Sequence, residues 1–154
     1  WDLKTGRCTV LERPKTGFSL HAGYGGNIHL TGKCDGESPV SFLETIDFNK
    51  KTSTRYRFPR KINSVRETAD GRLVLALADS PMDPSSGTLL VFSPQKTPPE
   101  AALLPGHTLG TRDCLLSGPS ILTCGEEGPG HSIKIWGGAY FVRTELGKLA
   151  INPE

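Results

Sequence analysis

The 154-residue chain contains no apolar run near the roughly 18 residues needed to cross a bilayer, so a soluble protein with no membrane partner is expected. It has no stretch of sustained helical period, so helices are not expected either. The formal net charge is only +2, which removes any global electrostatic argument for nucleic acid or a membrane surface. None of the four cysteines (Cys8, Cys34, Cys114, Cys124) stands in a C-x-x-C pair, so the common zinc and redox motifs are absent. They read as reduced, half-buried strand residues. A Cys114–Cys124 disulfide across the turn at Ser117-Gly118-Pro119 stays open, although a reducing compartment would disfavour it.

What the chain does have is turn formers, with 18 Gly and 12 Pro, as suits a fold of many short strands. Its 36% hydrophobic and 22% charged content are globular values. The length suits one ordinary domain with a sizeable core.

One short phrase also returns. It reads Trp1-Asp2-Leu3-Lys4-Thr5-Gly6, then Ile46-Asp47-Phe48-Asn49-Lys50-Lys51-Thr52, echoes at Val91-Phe92-Ser93 and closes as Ile133-Lys134-Ile135-Trp136. The markers Trp1, Ile46, Phe92 and Trp136 are 45, 46 and 44 residues apart. A fixed period of this size means one structural unit used repeatedly. Such units make surfaces more often than reaction centres.

Strands are expected over 7–11, 27–31, 40–48, 54–58, 62–68, 72–78, 88–92, 111–116, 121–124, 132–136 and 139–144. The cleanest pair flanks Asp70-Gly71, a favoured hairpin turn. Each period then holds about four short strands. A single such sheet cannot bury both its faces, and stacking on its neighbours solves that.

Taken together, these residues resemble the WD40 repeat family of β-propellers. Trp1-Asp2 matches its dipeptide, and in the last unit Gly106-His107 precedes Ile135-Trp136 by 27 intervening residues. Between them Leu122-Thr123-Cys124-Gly125-Glu126-Glu127-Gly128 resembles the family's strand and acidic turn. The likeness runs from Trp1 to about Arg143. It implies an all-β fold of WD40-like blades, each of four antiparallel strands, in a ring left incomplete by this chain. The boundaries expected are the end of a preceding blade at 1–11, blades at 12–58, 59–101 and 102–144, and a tail at 145–154. The resemblance also implies a structural hydrogen-bond network of His107, Thr123, Glu127 and Trp136. The first two units lack Gly-His and are expected to lack that network.

Other candidates read as structure. His21, His29 and His131 show no metal-ligand spacing. Glu126 and Glu127, adjacent on a turn, point apart and suit no acid/base pair. Gly23-Tyr24-Gly25-Gly26 lacks the Lys-Ser/Thr ending of a phosphate loop and reads as a turn. Arg55-Tyr56-Arg57-Phe58-Pro59-Arg60-Lys61 is the one basic-aromatic segment, and strand alternation puts its aromatics and its arginines on opposite faces.

Recognition is expected on loops. In a propeller the loops joining second and third strands share a rim with the inter-blade connectors, which here gathers Arg60, Lys61, Asp83, His107 and Glu126. The function expected is a non-enzymatic, cofactor-free scaffold for proteins or peptides, inside the cell in cytoplasm or nucleus. The alternative is an RNA-binding or ribonucleoprotein role through 55–61. Three blades cannot close a ring. The missing ones are expected from a longer propeller of which this is the C-terminal part, or else from another chain that completes the ring or from oligomerisation.

Overall fold

A computed structural model describes residues 4–6, 17–34, 40–78, 89–96, 99–104, 107–118, 120–127, 129–137 and 147–150. All the regular structure among them is β. In chain order the strands are β1 (Phe18–Ala22), β2 (Asn27–Lys33), β3 (Ser41–Asp47), β4 (Thr52–Phe58), β5 (Ile62–Glu67), β6 (Leu73–Leu77), β7 (Leu89–Ser93), β8 (Glu100–Leu104), β9 (Gly110–Ser117), β10 (Ser120–Glu127), β11 (Gly130–Trp136) and β12 (Gly147–Ala150). They form three antiparallel sheets, ordered β1-β2-β3-β4, β12-β8-β7-β6-β5 and β11-β10-β9. These are propeller-type blades in an incomplete ring.

Hairpins of the first two sheets are closed by local turn chemistry. Asp47 Oδ1 accepts from the backbone N–H groups of Asn49 and Lys50 at 2.9 and 3.0 Å, closing the β3–β4 hairpin. At the β5–β6 turn Gly71 has φ +78°, a left-handed conformation that suits glycine. Gln95 donates to its carbonyl at 2.6 Å, tying that turn to the end of β7.

The sheets stack face to face. The β6 sequence Leu73-Val74-Leu75-Ala76-Leu77 is an unbroken apolar run, and every residue of it is buried. Leu73, Leu75, Leu77, Leu90 and Phe92 meet Leu43, Tyr56 and Phe58 of the first sheet. The Phe92 ring stands edge-on to Tyr56 and Phe58 with centroids at 4.8 and 5.4 Å. On the other side Val74, Ala76 and Leu89 meet Cys114 and Ile121 of the third sheet, with Val91, Leu116 and Trp136 beside them. Burying one such aliphatic or aromatic side chain contributes about 1.5–3 kcal/mol, so both contacts are substantial.

The inner strands β1, β5 and β9 of the three sheets lie side by side. Ile46, Phe92 and Trp136 fall on β3, β7 and β11, the third strand of each sheet in chain order, so the period of the sequence is the period of the stack. Trp1 lies outside the described residues.

Three strands depart from sequence expectation. β1 occupies a segment where no strand is expected, and its pairing with β2 is what defines it. β8 occupies a segment where no strand is expected, its backbone zipped onto β7. β12 lies in the expected tail and pairs with β8 as a fifth strand of the middle sheet. The expected strands 7–11 and 139–144 lie outside the described residues.

Candidate interaction surface

In the third sheet the hydrogen bonds converge on Thr123. The Trp136 indole N–H donates to Thr123 Oγ1 at 2.8 Å, and His107 Nε2 lies 2.8 Å from the same oxygen. His107 Nδ1 lies 3.0 Å from Ser132 Oγ. A hydroxyl carries one proton and two lone pairs, so Thr123 serves indole and imidazole together. Ser132 lies against the second ring nitrogen of His107, and the side chain of Glu127, expected in this network, lies outside the described residues. Gly125 makes this packing possible, since a Cβ there would stand 2.5 Å from His107 Cγ and overlap the Gly110 carbonyl. His107 is only 1% exposed. It was expected on the partner-binding rim as well as in the network, and the rim assignment is corrected: a buried ring cannot meet a partner.

The first sheet holds a histidine network that spacing did not reveal. His29 is wholly buried, with Nδ1 3.0 Å from Thr45 Oγ1 and Nε2 3.1 Å from Glu67 Oε2. Glu67 belongs to β5, so the bond joins two blades. The same carboxylate accepts from Tyr24 N and from Asn27 Nδ2, both at 2.8 Å. The first unit lacks Gly-His, and the network it holds is a different one, without a tryptophan. This histidine sits within a strand instead.

His21 is the cross-strand partner of His29 and lies 3.0 Å from Thr31 Oγ1. Arg66 on β5 reaches Asp113 on β9 at 3.2 Å, so charged groups line the inner strands. Burial, followed by the Arg66 charge and then His29, pushes the His21 pKa below its usual value, against the opposing pull of Asp113.

The rim formed by the β4–β5 connector and the ends of β6 and β10 holds a polar cleft of about 550 Å³. Lys61, Asn63, Ala78, Gly110, Arg112 and Glu126 line it. Asn63 Nδ2 donates to the Thr111 carbonyl at 2.9 Å, locking β5 to β9 beneath the cleft. The Arg112 guanidinium donates to Glu126 through Nε at 2.9 Å and through Nη2. That hydrogen bonding and charge hold the Glu126 carboxyl below its usual pKa, so it stays ionised and makes a poor proton donor.

Of the expected rim residues, Lys61 and Glu126 therefore meet at one cleft. Arg60 stands beside Lys61 in the connector, and Asp83 lies outside the described residues. Asn63 and Arg112 were not anticipated, because only the pairing of adjacent blades brings them there. A second cleft, of about 560 Å³, opens between the first two sheets beside Phe18, Lys33, Ser41 and Lys61. Lys61 thus borders both.

In the basic-aromatic segment Tyr56 and Phe58 are buried, and the Arg55 guanidinium lies 4.0 Å over the Phe42 ring. Cys114 is buried towards the middle sheet while Cys124 is exposed on the opposite face, and both are free thiols, as is Cys34. Among the described residues no group of three or more His, Cys, Asp and Glu side chains is placed to hold a metal ion, and no helix is long and apolar enough to cross a membrane. Comparison with family models, with curated proteins and with solved structures finds no match to this chain.

Proposed function

We propose that this protein is a non-enzymatic, WD40-like scaffold that binds other proteins or peptides through one rim of its blade stack. The observation that carries the proposal is the polar cleft bordered by Lys61, Asn63, Arg112 and Glu126. Arg112 and Glu126 are presented on it by the paired strands β9 and β10, and Lys61 by the short connector leading into β5, so its charged groups are held by or beside rigid sheets. The surrounding histidines and acids are committed to hydrogen bonds within and between blades, which supports binding over turnover. Nucleic-acid recognition through 55–61 is less well supported. Tyr56 and Phe58, which would have to stack on bases, are 6% and 1% exposed.

Affinity capture with the tagged protein tests the rim. Partners recovered by the wild type and by the opposite-rim variant Lys50→Glu/Lys51→Glu, but lost by Arg60→Glu/Lys61→Glu, are expected. Recovery indifferent to the Arg60/Lys61 reversal would overturn the rim as the binding surface.

A further inference from the structure

The rim carries two clefts of different chemistry, and Lys61 borders both. The cleft between the first and middle blades opens where β1 and β5 begin and β2 ends. Its wall includes the Phe18 ring, the Ile62 side chain and the bare backbone of Gly17 and Gly32. Phe18 is 42% exposed, so its ring is within a ligand's reach, while Ile62 belongs to the core. Lys33 and Lys61, both exposed, line the same cleft. The cleft between the middle and third blades is polar instead, with Lys61, Arg112 and Glu126 along it.

The two clefts share one end of the stack, since the starts of β1 and β5 meet at the first and the starts of β5 and β9 at the second. Stacked sheets lie about 10 Å apart, and an extended chain advances about 3.3 Å per residue. Clefts one blade apart are therefore joined by about three residues of extended chain. Charge gives the second constraint. Among the described residues lining the two clefts the cations are Lys33, Lys61 and Arg112, and the acid is Glu126, which Arg112 already holds. Complementary potential favours a partner that brings negative charge.

We infer that the ligand of this rim is an extended acidic segment of another protein. One apolar side chain enters the cleft beside Phe18, and acidic residues within about three positions of it lie along Lys61 towards Arg112. The apolar anchor supplies most of the affinity, and the cations fix register and suppress basic competitors. This inference rests on the proposed binding rim and adds the chemical class of its partner.

Selection of phage-displayed random linear peptides on the immobilised full chain tests it. Enriched sequences are expected to combine Leu, Ile, Val or Phe with Asp or Glu within about three positions. A synthetic copy of one enriched peptide is then titrated by fluorescence anisotropy. Phe18→Ser and Lys61→Glu are each expected to raise its dissociation constant at least about tenfold. Lys50→Glu/Lys51→Glu on the opposite rim is expected to leave it within about twofold at physiological salt. Exchanging the peptide's acidic residue for Lys is expected to restore binding to Lys61→Glu while weakening binding to the wild type. Phe18 and Lys61 are exposed, so circular dichroism of both variants is expected to match the wild type.

Enrichment of basic or purely apolar peptides, or a dissociation constant indifferent to either substitution, would overturn the acidic segment. So would an absence of any enrichment, the result expected if a second copy of the chain covers the rim. If partners are still captured by the wild type and lost by Arg60→Glu/Lys61→Glu, the binding rim stands and the partner class alone falls. If capture is indifferent to that reversal, the rim itself falls.

Discussion

Glu67 Oε2 lies 3.1 Å from Nε2 of His29, and this bond crosses from the middle blade to the first at a site where His29 is wholly buried. The same carboxylate also receives Tyr24 N and Asn27 Nδ2, so a single side chain pins the β1–β2 hairpin to β5. Removing it leaves the buried His29 without its acceptor and also frees the half-buried Asn27 amide and the exposed Tyr24 N–H. Glu67→Ala is therefore expected to lower stability by about 3 kcal/mol, read from chemical denaturation. A loss below one-third of that would show that water replaces the carboxylate.

Burial pushes the His29 pKa below its ordinary 6.5, and the hydrogen bond and charge of Glu67 only partly oppose this. The sign follows from linkage. Above 6.5 the imidazole is neutral in both states and its contribution to stability is full. As pH falls through 6.5 the unfolded chain takes up the proton first, and stability is lost. His21 is shifted the same way, with Arg66, Asp113 and His29 facing it, but its partial exposure weakens the effect. The denaturation midpoint is expected to fall on acidification from neutral pH to below 6, before the carboxylates titrate, and His29→Asn is expected to flatten that slope. An unchanged midpoint over this window would contradict the burial of a neutral His29.

Thr123 and Gly125 offer two separable tests of the third blade. Thr123→Val keeps the shape but leaves the Trp136 indole N–H and His107 Nε2 without their shared oxygen, an expected cost of about 2–3 kcal/mol. Gly125→Ala forces a Cβ against His107 and the Gly110 carbonyl, and should cost at least as much by overpacking. Thermal unfolding measures both, and a neutral Gly125→Ala would show that the His107 ring has room to move.

Burial pushes the Cys114 thiol up to about 11, whereas Cys124 faces solvent from the other side of its sheet. A thiol reagent is expected to modify Cys124 in the folded protein and Cys114 only on unfolding. No disulfide between them is expected on mild oxidation, since neighbouring strand positions on opposite faces direct their sulfurs apart. Rapid labelling of Cys114, or a Cys114–Cys124 bridge in the mass spectrum, would contradict this register.

Much of the fold was legible in the chain. The Asp70-Gly71 hairpin shows because its turn chemistry is local. β6 shows as an apolar run because a sheet covered on both sides needs one. The strands that were missed are those whose side chains do not alternate or are small. β1 follows a glycine, β8 reads Glu-Ala-Ala-Leu-Leu, and β12 pairs across some 45 residues of chain. Their pairing is supplied by backbone hydrogen bonds to a partner strand, and single-chain periodicity carries no mark of that.

The candidate surface divides the same way. Arg60, Lys61 and Glu126 could be assigned to one rim, because alternation of up and down strands sends particular loops to the same end. Their meeting with Asn63 and Arg112 was decided by the packing of β5 beside β9, two strands far apart in the chain. The bond from His29 to Glu67 was decided likewise. By itself the sequence determined the repeat and its period of about 45 residues, because apolar pattern and turn chemistry act over neighbouring positions. Only the tertiary structure decided which polar groups share a site and which clefts adjoin, because those depend on how one sheet sits against the next.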